Sequence, residues 1–232
     1  MTIQKNDFIE IDFTGKSNNE IFDTTRKEDA KEMGLDADVK PSIVSIGNQM
    51  LLKGLDEELE GKEIGKSYTI ALTPDRAFGK RNPKLIRLIP LRVFREKNIN
   101  PYPGMVVQLD NNMARILSAS GGRITVDFNN QLAGKDVEYE IKVNRKVTDN
   151  KEKVNALLDF FLQQRFEYEI KDKKVIFKEP KIKPFLDLFQ QKFKDMTGLD
   201  FEVEGETKEE SKKEEEKEES KKEEKKGTKK TE

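Results

Sequence analysis

The sequence predicts an α+β protein: an antiparallel sheet wrapped on a short helix, a small mostly-β domain inserted into it, and a C-terminal α-β-β-α domain. Three observations carry this. Ser67 to Leu72 reads as a strand, and Val137 to Val143, where Val137, Tyr139, Ile141 and Val143 alternate with polar residues, reads as its partner in one sheet. The block between them has turn formers at its ends and apolar patterns of its own, the mark of an insertion. Past Lys146 the apolar period changes from helical to alternating and back.

From the start of the chain, Phe8 to Phe13 sets Ile9, Ile11 and Phe13 on one face against Glu10 and Asp12, a half-buried strand that Thr14 and Gly15 end. After Phe22 and Asp23, Thr25 and Glu28 stand at capping-box spacing, and Gly34 stops the short helix they would open. The chain returns at Ile43 to Ile46. Between Met50 and Glu60, Leu51, Leu52, Leu55 and Leu59 share one helical face, and Gly61 closes the helix. In the insertion Pro90 is expected at the first position of a helix reaching Phe94, and Pro101 to Gly104 is a turn. Three short strands follow, around Met105 to Leu109, Ala114 to Ser118 and Ile124 to Phe128.

The C-terminal region places Val154, Leu157, Leu158, Phe161 and Leu162 at helical spacing, then two alternating runs about a turn at Asp172 and Lys173. A second helix carries Ile182, Phe185, Leu186, Phe189, Phe193 and Met196. A core of this size is marginal alone, so docking or dimerisation is expected to support it. From Glu206 onward only Lys, Glu, Ser, Thr and Gly occur, which reads as a disordered tail because nothing apolar offsets the entropy of ordering.

Composition excludes several chemistries. With no cysteine and no histidine, the chain has no disulfide, no thiolate or imidazole metal ligand, no Ser-His-Asp triad and no cysteine nucleophile. No metal and no cofactor is expected. A net charge of -1 argues against a generic nucleic-acid binder. No apolar run approaches the roughly 20 residues that span a bilayer, and the opening residues lack a signal-peptide core, so a cytoplasmic location is expected.

The ordered set Phe13, Phe22-Asp23, Gly47, Leu51-Leu52-Lys53-Gly54-Leu55 and Ala77-Phe78-Gly79 resembles the FKBP-type peptidyl-prolyl cis/trans isomerases. Asp127 to Gly134 resembles the Asn-His-Pro-Leu-Ala-Gly signature of the SlyD-like and long archaeal members, with Asn130 and Gln131 in place of His and Pro. The resemblance implies a discontinuous isomerase domain at 1–79 and 132–146, a chaperone-like flap insert at 80–131 and a C-terminal domain at 147–205, and composition alone marks off a tail at 206–232. Its members are rotamases that help proteins fold, acting on proline-containing peptides and unfolded chains without a cofactor.

By the same resemblance Phe13, Phe22, Phe78 and Tyr139 would form the catalytic pocket with Asp23, which orients substrate or braces the wall rather than acting as a base. Leu51, Leu52 and Leu55 would complete the pocket, with Leu132 a further contributor. Phe13 and Phe78 replace the tyrosines of many relatives, which removes two hydroxyls from any macrolide-binding surface, and Leu55 stands where mammalian members have tryptophan. The histidine-rich metal-binding tail of some SlyD proteins has no counterpart. Ile86, Leu88 and Phe94 are either client contacts of the insert or the core of a tiny domain. Two other functions stay open at this point: a non-catalytic chaperone, and a scaffold that forms a homodimer through its C-terminal domain.

Overall fold

In the computed structural model, which describes residues 1–35 and 39–204, the chain forms two compact units. One contains residues 1–5 and 9–146, the other residues 6–8 and 147 onward.

The first unit is built on a five-stranded sheet of β1 (Phe8–Ser17), β2 (Glu20–Thr24), β3 (Ser42–Ser45), β4 (Ser67–Leu72) and β9 (Val137–Lys146). Its order is β2-β1-β9-β4, with β3 also paired to β1. β4 and β9 pair antiparallel as the sequence leads one to expect, with Tyr68 opposite Ile141 and Leu72 opposite Val137. The alternation along β9 is realised in burial: Val137, Tyr139, Ile141 and Val143 are buried, while Glu138 and Lys142 face solvent. β1 does not stop at Thr14-Gly15. It runs on to Ser17, bulged between Gly15 and Lys16 against β2 and between Glu10 and Ile11 against β9.

Two short helices flank this sheet. α1 (Lys27–Glu32) has no side-chain cap, because the Thr25 hydroxyl is occupied elsewhere, accepting the Phe13 N–H at 2.8 Å. The expected capping box therefore does not form. α2 (Lys53–Leu59) is shorter than the leucine pattern suggests, and Leu51 and Leu52 precede it. Gly54 explains why the helix packs so close: a Cβ there would lie 2.5 Å from Leu72 and 2.9 Å from the Arg76 carbonyl oxygen.

The insertion is a four-stranded sheet in the order β5-β8-β7-β6, from β5 (Ile86–Pro90), β6 (Val106–Leu109), β7 (Asn112–Ser120) and β8 (Arg123–Asp127). α3 (Leu91–Glu96) starts one residue after Pro90, which caps it instead of occupying its first turn. The insertion has its own core of Phe94, Val107, Leu109, Ala114, Ile116, Ile124 and Val126. β5 is a strand the apolar pattern hides: Ile86 and Ile89 are the half-buried residues, and they do not stand at period two.

The second unit runs α4 (Asn150–Phe161), β10 (Tyr168–Lys171), β11 (Lys174–Phe177), α5 (Lys183–Thr197) and β12 (Asp200–Val203). Asp149 caps α4 by accepting the Glu152 N–H at 2.9 Å, and Gly198 ends α5 at φ +73°. The expected α-β-β-α order thus gains a last strand, with β12 parallel to β11 and antiparallel β10 on the other side. Phe177, Phe193 and Phe201 meet in its core. The Lys/Glu-rich stretch from residue 206 lies outside the described residues. Among the described helices none is long and apolar enough to cross a membrane.

Candidate active site

Gly15 is the centre about which the aromatic residues gather. On β1 it faces Tyr139 of β9 on one side and Asp23 of β2 on the other. A Cβ at this position would come within 2.8 Å of Phe22 Cζ and 2.9 Å of Tyr139 Cε1, so the missing side chain is what lets those two rings close over the strand. They meet edge to face at 5.7 Å. Tyr139 continues to Phe13, two residues before Gly15 on the same face of β1, at 6.0 Å. Phe22 continues to Phe78 at 5.8 Å, again edge to face. The geometry is the one that ring quadrupoles favour.

Threonines brace the wall behind the rings. Thr25 donates its N–H to the Phe13 carbonyl at 2.9 Å and accepts the Phe13 N–H, so β1 and the segment after β2 are tied twice at this residue. The Thr24 hydroxyl donates to the same carbonyl at 3.1 Å and lies 3.0 Å from the Thr14 hydroxyl, which donates to Asp29. Sequence reasoning missed Gly15 and these threonines. Their polar character gives no apolar signal, and Gly15 reads locally as a strand terminator.

Phe78 follows a single 3-10 turn (Pro74–Arg76) and precedes Gly79, which adopts φ +77°. Leu55 is buried in α2, while Leu51 and Leu52 are half-buried on the approach to it. That approach is held by Asp56, whose buried carboxylate accepts the N–H groups of Gly47 at 3.1 Å and Gln49 at 3.2 Å. Burial raises the Asp56 carboxyl, and the two N–H groups offset part of the rise.

Asp23 stands at the rim. It is exposed, yet desolvation among its neighbours raises its carboxyl above the ordinary value, with the Thr24 N–H working in the opposite direction. Burial likewise pushes the Tyr139 phenol up, and the Asp23 charge pushes it further. The Tyr139 backbone pairs with Gly15 and Ile70, and its hydroxyl has no hydrogen-bond partner among the described residues.

Phe22 also lines a cleft of about 420 Å³ shared with the insertion. The opposite wall is Met113, Ala114 and Arg115 of β7, and the floor is the segment from Phe128 to Leu132. Leu132 shares the lining of this cleft with Phe22. The segment itself is a hydrogen-bonded clamp. Asn129 Nδ2 donates to Asp127 Oδ1 at 2.6 Å and to the Asn82 carbonyl at 3.0 Å, and its Oδ1 accepts the Asn82 N–H at 2.8 Å. The outgoing and returning strands of the insertion are thus joined by one side chain.

Of the three residues considered for the insert surface, Phe94 is fully buried and belongs to the core; this corrects its reading as a client contact. Its apolar ring anchors α3 to the sheet. Ile86 is half-buried and Leu88 exposed.

Comparison with known proteins is consistent with this architecture. Residues 1–91 match the family model of FKBP-type peptidyl-prolyl cis-trans isomerases, and residues 87–132 match the model described as FKBP26, IF domain. A short-type peptidyl-prolyl cis-trans isomerase of Methanocaldococcus jannaschii is 31% identical over 61% of this chain and 92% of that protein. The chain belongs to the FKBP-type peptidyl-prolyl cis-trans isomerase family. An FKBP-type 16 kDa peptidyl-prolyl cis-trans isomerase of Escherichia coli is also 31% identical, over 61% of this chain and 92% of that protein. A SlyD isomerase of Vibrio cholerae is 31% identical over 42% of the chain and 50% of its own length. This FKBP is therefore a peptidyl-prolyl cis/trans isomerase.

Proposed function

We propose that this FKBP turns prolyl bonds against the ring cluster of Phe13, Tyr139, Phe22 and Phe78, with Asp23 at the rim and Leu51, Leu52 and Leu55 completing the pocket. The observation that carries this reading is the closure of Phe22 and Tyr139 over Gly15, which joins them with Phe13 and Phe78 in one chain of ring contacts beside one carboxylate. Uncatalysed rotation is slow because it breaks amide resonance, a barrier of about 18–20 kcal/mol. The twisted amide has less charge separation than the planar one, so a water-excluding apolar wall favours it over the ground state. No nucleophile or base is needed. In this reading the Tyr139 hydroxyl would donate to a substrate carbonyl, the role left to it by Phe13 and Phe78, which carry no hydroxyl.

The experiment is cis-to-trans relaxation of a short prolyl peptide. Phe22→Ala opens the wall and should lower kcat/KM roughly ten-fold or more, about 1.4 kcal/mol of transition-state stabilisation. Asp23→Ala removes a rim interaction and should cost about two- to ten-fold. Unchanged rates in both variants would remove the pocket assignment.

The same proposal divides the chain into the isomerase domain at 1–79 and 132–146, the insert at 80–131 and the C-terminal domain at 147–205. The insert would hold unfolded chains on the face that exposes Leu88 (65%) and Met113 (60%). The C-terminal domain would form a homodimer, supported by the exposure of Leu188 (78%) on α5. A cytoplasmic setting fits these clients. Light scattering of a Leu188→Glu variant that stays dimeric would exclude that interface.

A further inference from the structure

We infer that Arg115 gives this isomerase a preference for chains that carry a carboxylate side chain within a few residues of the proline. The inference rests on the reading that Phe22 walls the prolyl pocket. Phe22 belongs both to the ring cluster and to the cleft shared with the insertion, so a chain whose proline lies against Phe22 continues into that cleft. The space is within the range of clefts that bury small ligands.

The lining determines what it favours. Met113, Phe128 and Leu132 supply apolar contact. Asn129 is committed to Asp127 and Asn82, and Asn130 Oδ1 accepts the Leu132 N–H at 2.8 Å. Arg115 alone brings a charge to the lining. Its guanidinium donates to the neutral Gln131 Oε1 at 3.2 Å, which leaves most of its five N–H donors for another partner. Asp127 is the cross-strand neighbour of Arg115, but Arg81 holds its Oδ2 and Asn129 its Oδ1. The Arg87 guanidinium lies 5.6 Å over the Phe128 ring, outside the lining of the cleft. Between residues 80 and 131 basic residues outnumber acidic ones nine to three, so the wider surroundings carry the same sign. The planar fork of an arginine meeting a carboxylate is the recognition this arrangement fits.

The test compares short prolyl peptides in which each flanking position carries Glu or Gln, in the wild type and in Arg115→Gln and Arg115→Lys. At one flanking position the wild type should show kcat/KM about three-fold higher for Glu than for Gln, the scale of a solvent-accessible ion pair. The difference should lie in KM, should shrink at high salt and should disappear in Arg115→Gln while Arg115→Lys keeps most of it. The Gln peptide should be turned over equally by all three proteins, which shows that the fold and the rings are intact. Equal values for Glu and Gln at every position in the wild type would overturn the inference. A Phe22→Ala control on the Gln peptide separates the two ideas: full turnover there removes the pocket, whereas slowed turnover with a flat Glu-to-Gln ratio removes only the role of Arg115.

Discussion

Gly15 shows how a residue with no side chain can let two rings meet over a strand. Phe22 and Tyr139 close over it because no Cβ separates them. In Gly15→Ala the new methyl meets two well-packed rings, and overpacking of this kind costs about 1–3 kcal/mol. Thermal unfolding and peptide turnover measured together should both fall; unchanged turnover would mean that the rings do not act. Asp23 offers a different test, through pH. Its carboxyl titrates above the ordinary value of 3.8 because desolvation disfavours the charge. A folded pKa raised in this way contributes stability that is complete below the unfolded pKa and is lost as pH rises through the folded one. Ionised Asp23 therefore works against the fold at neutral pH. Asp23→Asn should melt at least as high as the wild type at pH 7 and lose that advantage in acid, while its turnover no longer falls as pH drops through the Asp23 titration. A wild-type rate that is flat down to the usual carboxylate range would contradict this. That Phe13, Phe22, Phe78 and Tyr139 would come together was legible in the sequence because their order and spacing match a family; Gly15, Thr14, Thr24 and Thr25 were not, since their contribution is steric absence and hydrogen bonding, neither of which has a period.

At the scale of elements, strands with clean alternation were readable and those without it were not. β4 and β9 appear with the expected partners because one face of each is buried and the other wet. β5 and β12 were hidden. β5 has its half-buried residues three apart, and β12 is too short for a pattern of its own until it pairs in parallel with β11. The helix expected from Met50 onward begins at Lys53, because Leu52 at its N-cap has an extended ψ of 142°. The signature segment at Asp127 to Gly134 proves to be a clamp between elements, with Asp127 at its centre. Burial alone would raise the Asp127 carboxyl, but the Asn129 N–H, its carboxamide and the Arg81 guanidinium together hold it below the ordinary value. The stability it contributes is therefore present above the unfolded pKa and lost only as pH falls through the lower folded one. Asp127→Ala leaves those donors without their acceptor and should cost about 1–3 kcal/mol. Amide exchange should speed up in the insertion and at Asn82 while the β1-β9-β4 sheet stays protected; uniform change across both sheets would argue against a local clamp.

Across the molecule, the absence of histidine and cysteine left only chemistries that need neither, and prolyl rotation is one of them. The two sheets of the first unit have separate cores, and the insertion is joined to the isomerase sheet through residues 79–82 and 127–134. Separate cores make separable tasks testable. Deleting residues 80–131 should sharply reduce catalysed refolding of a proline-limited protein while turnover of a short, neutral prolyl peptide stays within a few-fold; equal losses on both would show that the insertion is part of the pocket itself. Client identity had no counterpart in the sequence pattern, because the client surface proposed for the insert consists of exposed apolar residues such as Leu88 and Met113, which form no fixed motif.

The central claim is that the prolyl ring rests on the aromatic wall above Gly15. Nuclear Overhauser contacts between a bound prolyl residue and selectively labelled aromatic rings test this directly. The account predicts contacts from the prolyl ring to Phe22, Phe78 and Tyr139, lost in Gly15→Ala; prolyl contacts confined to Met113, Leu88 and other insertion residues would contradict it.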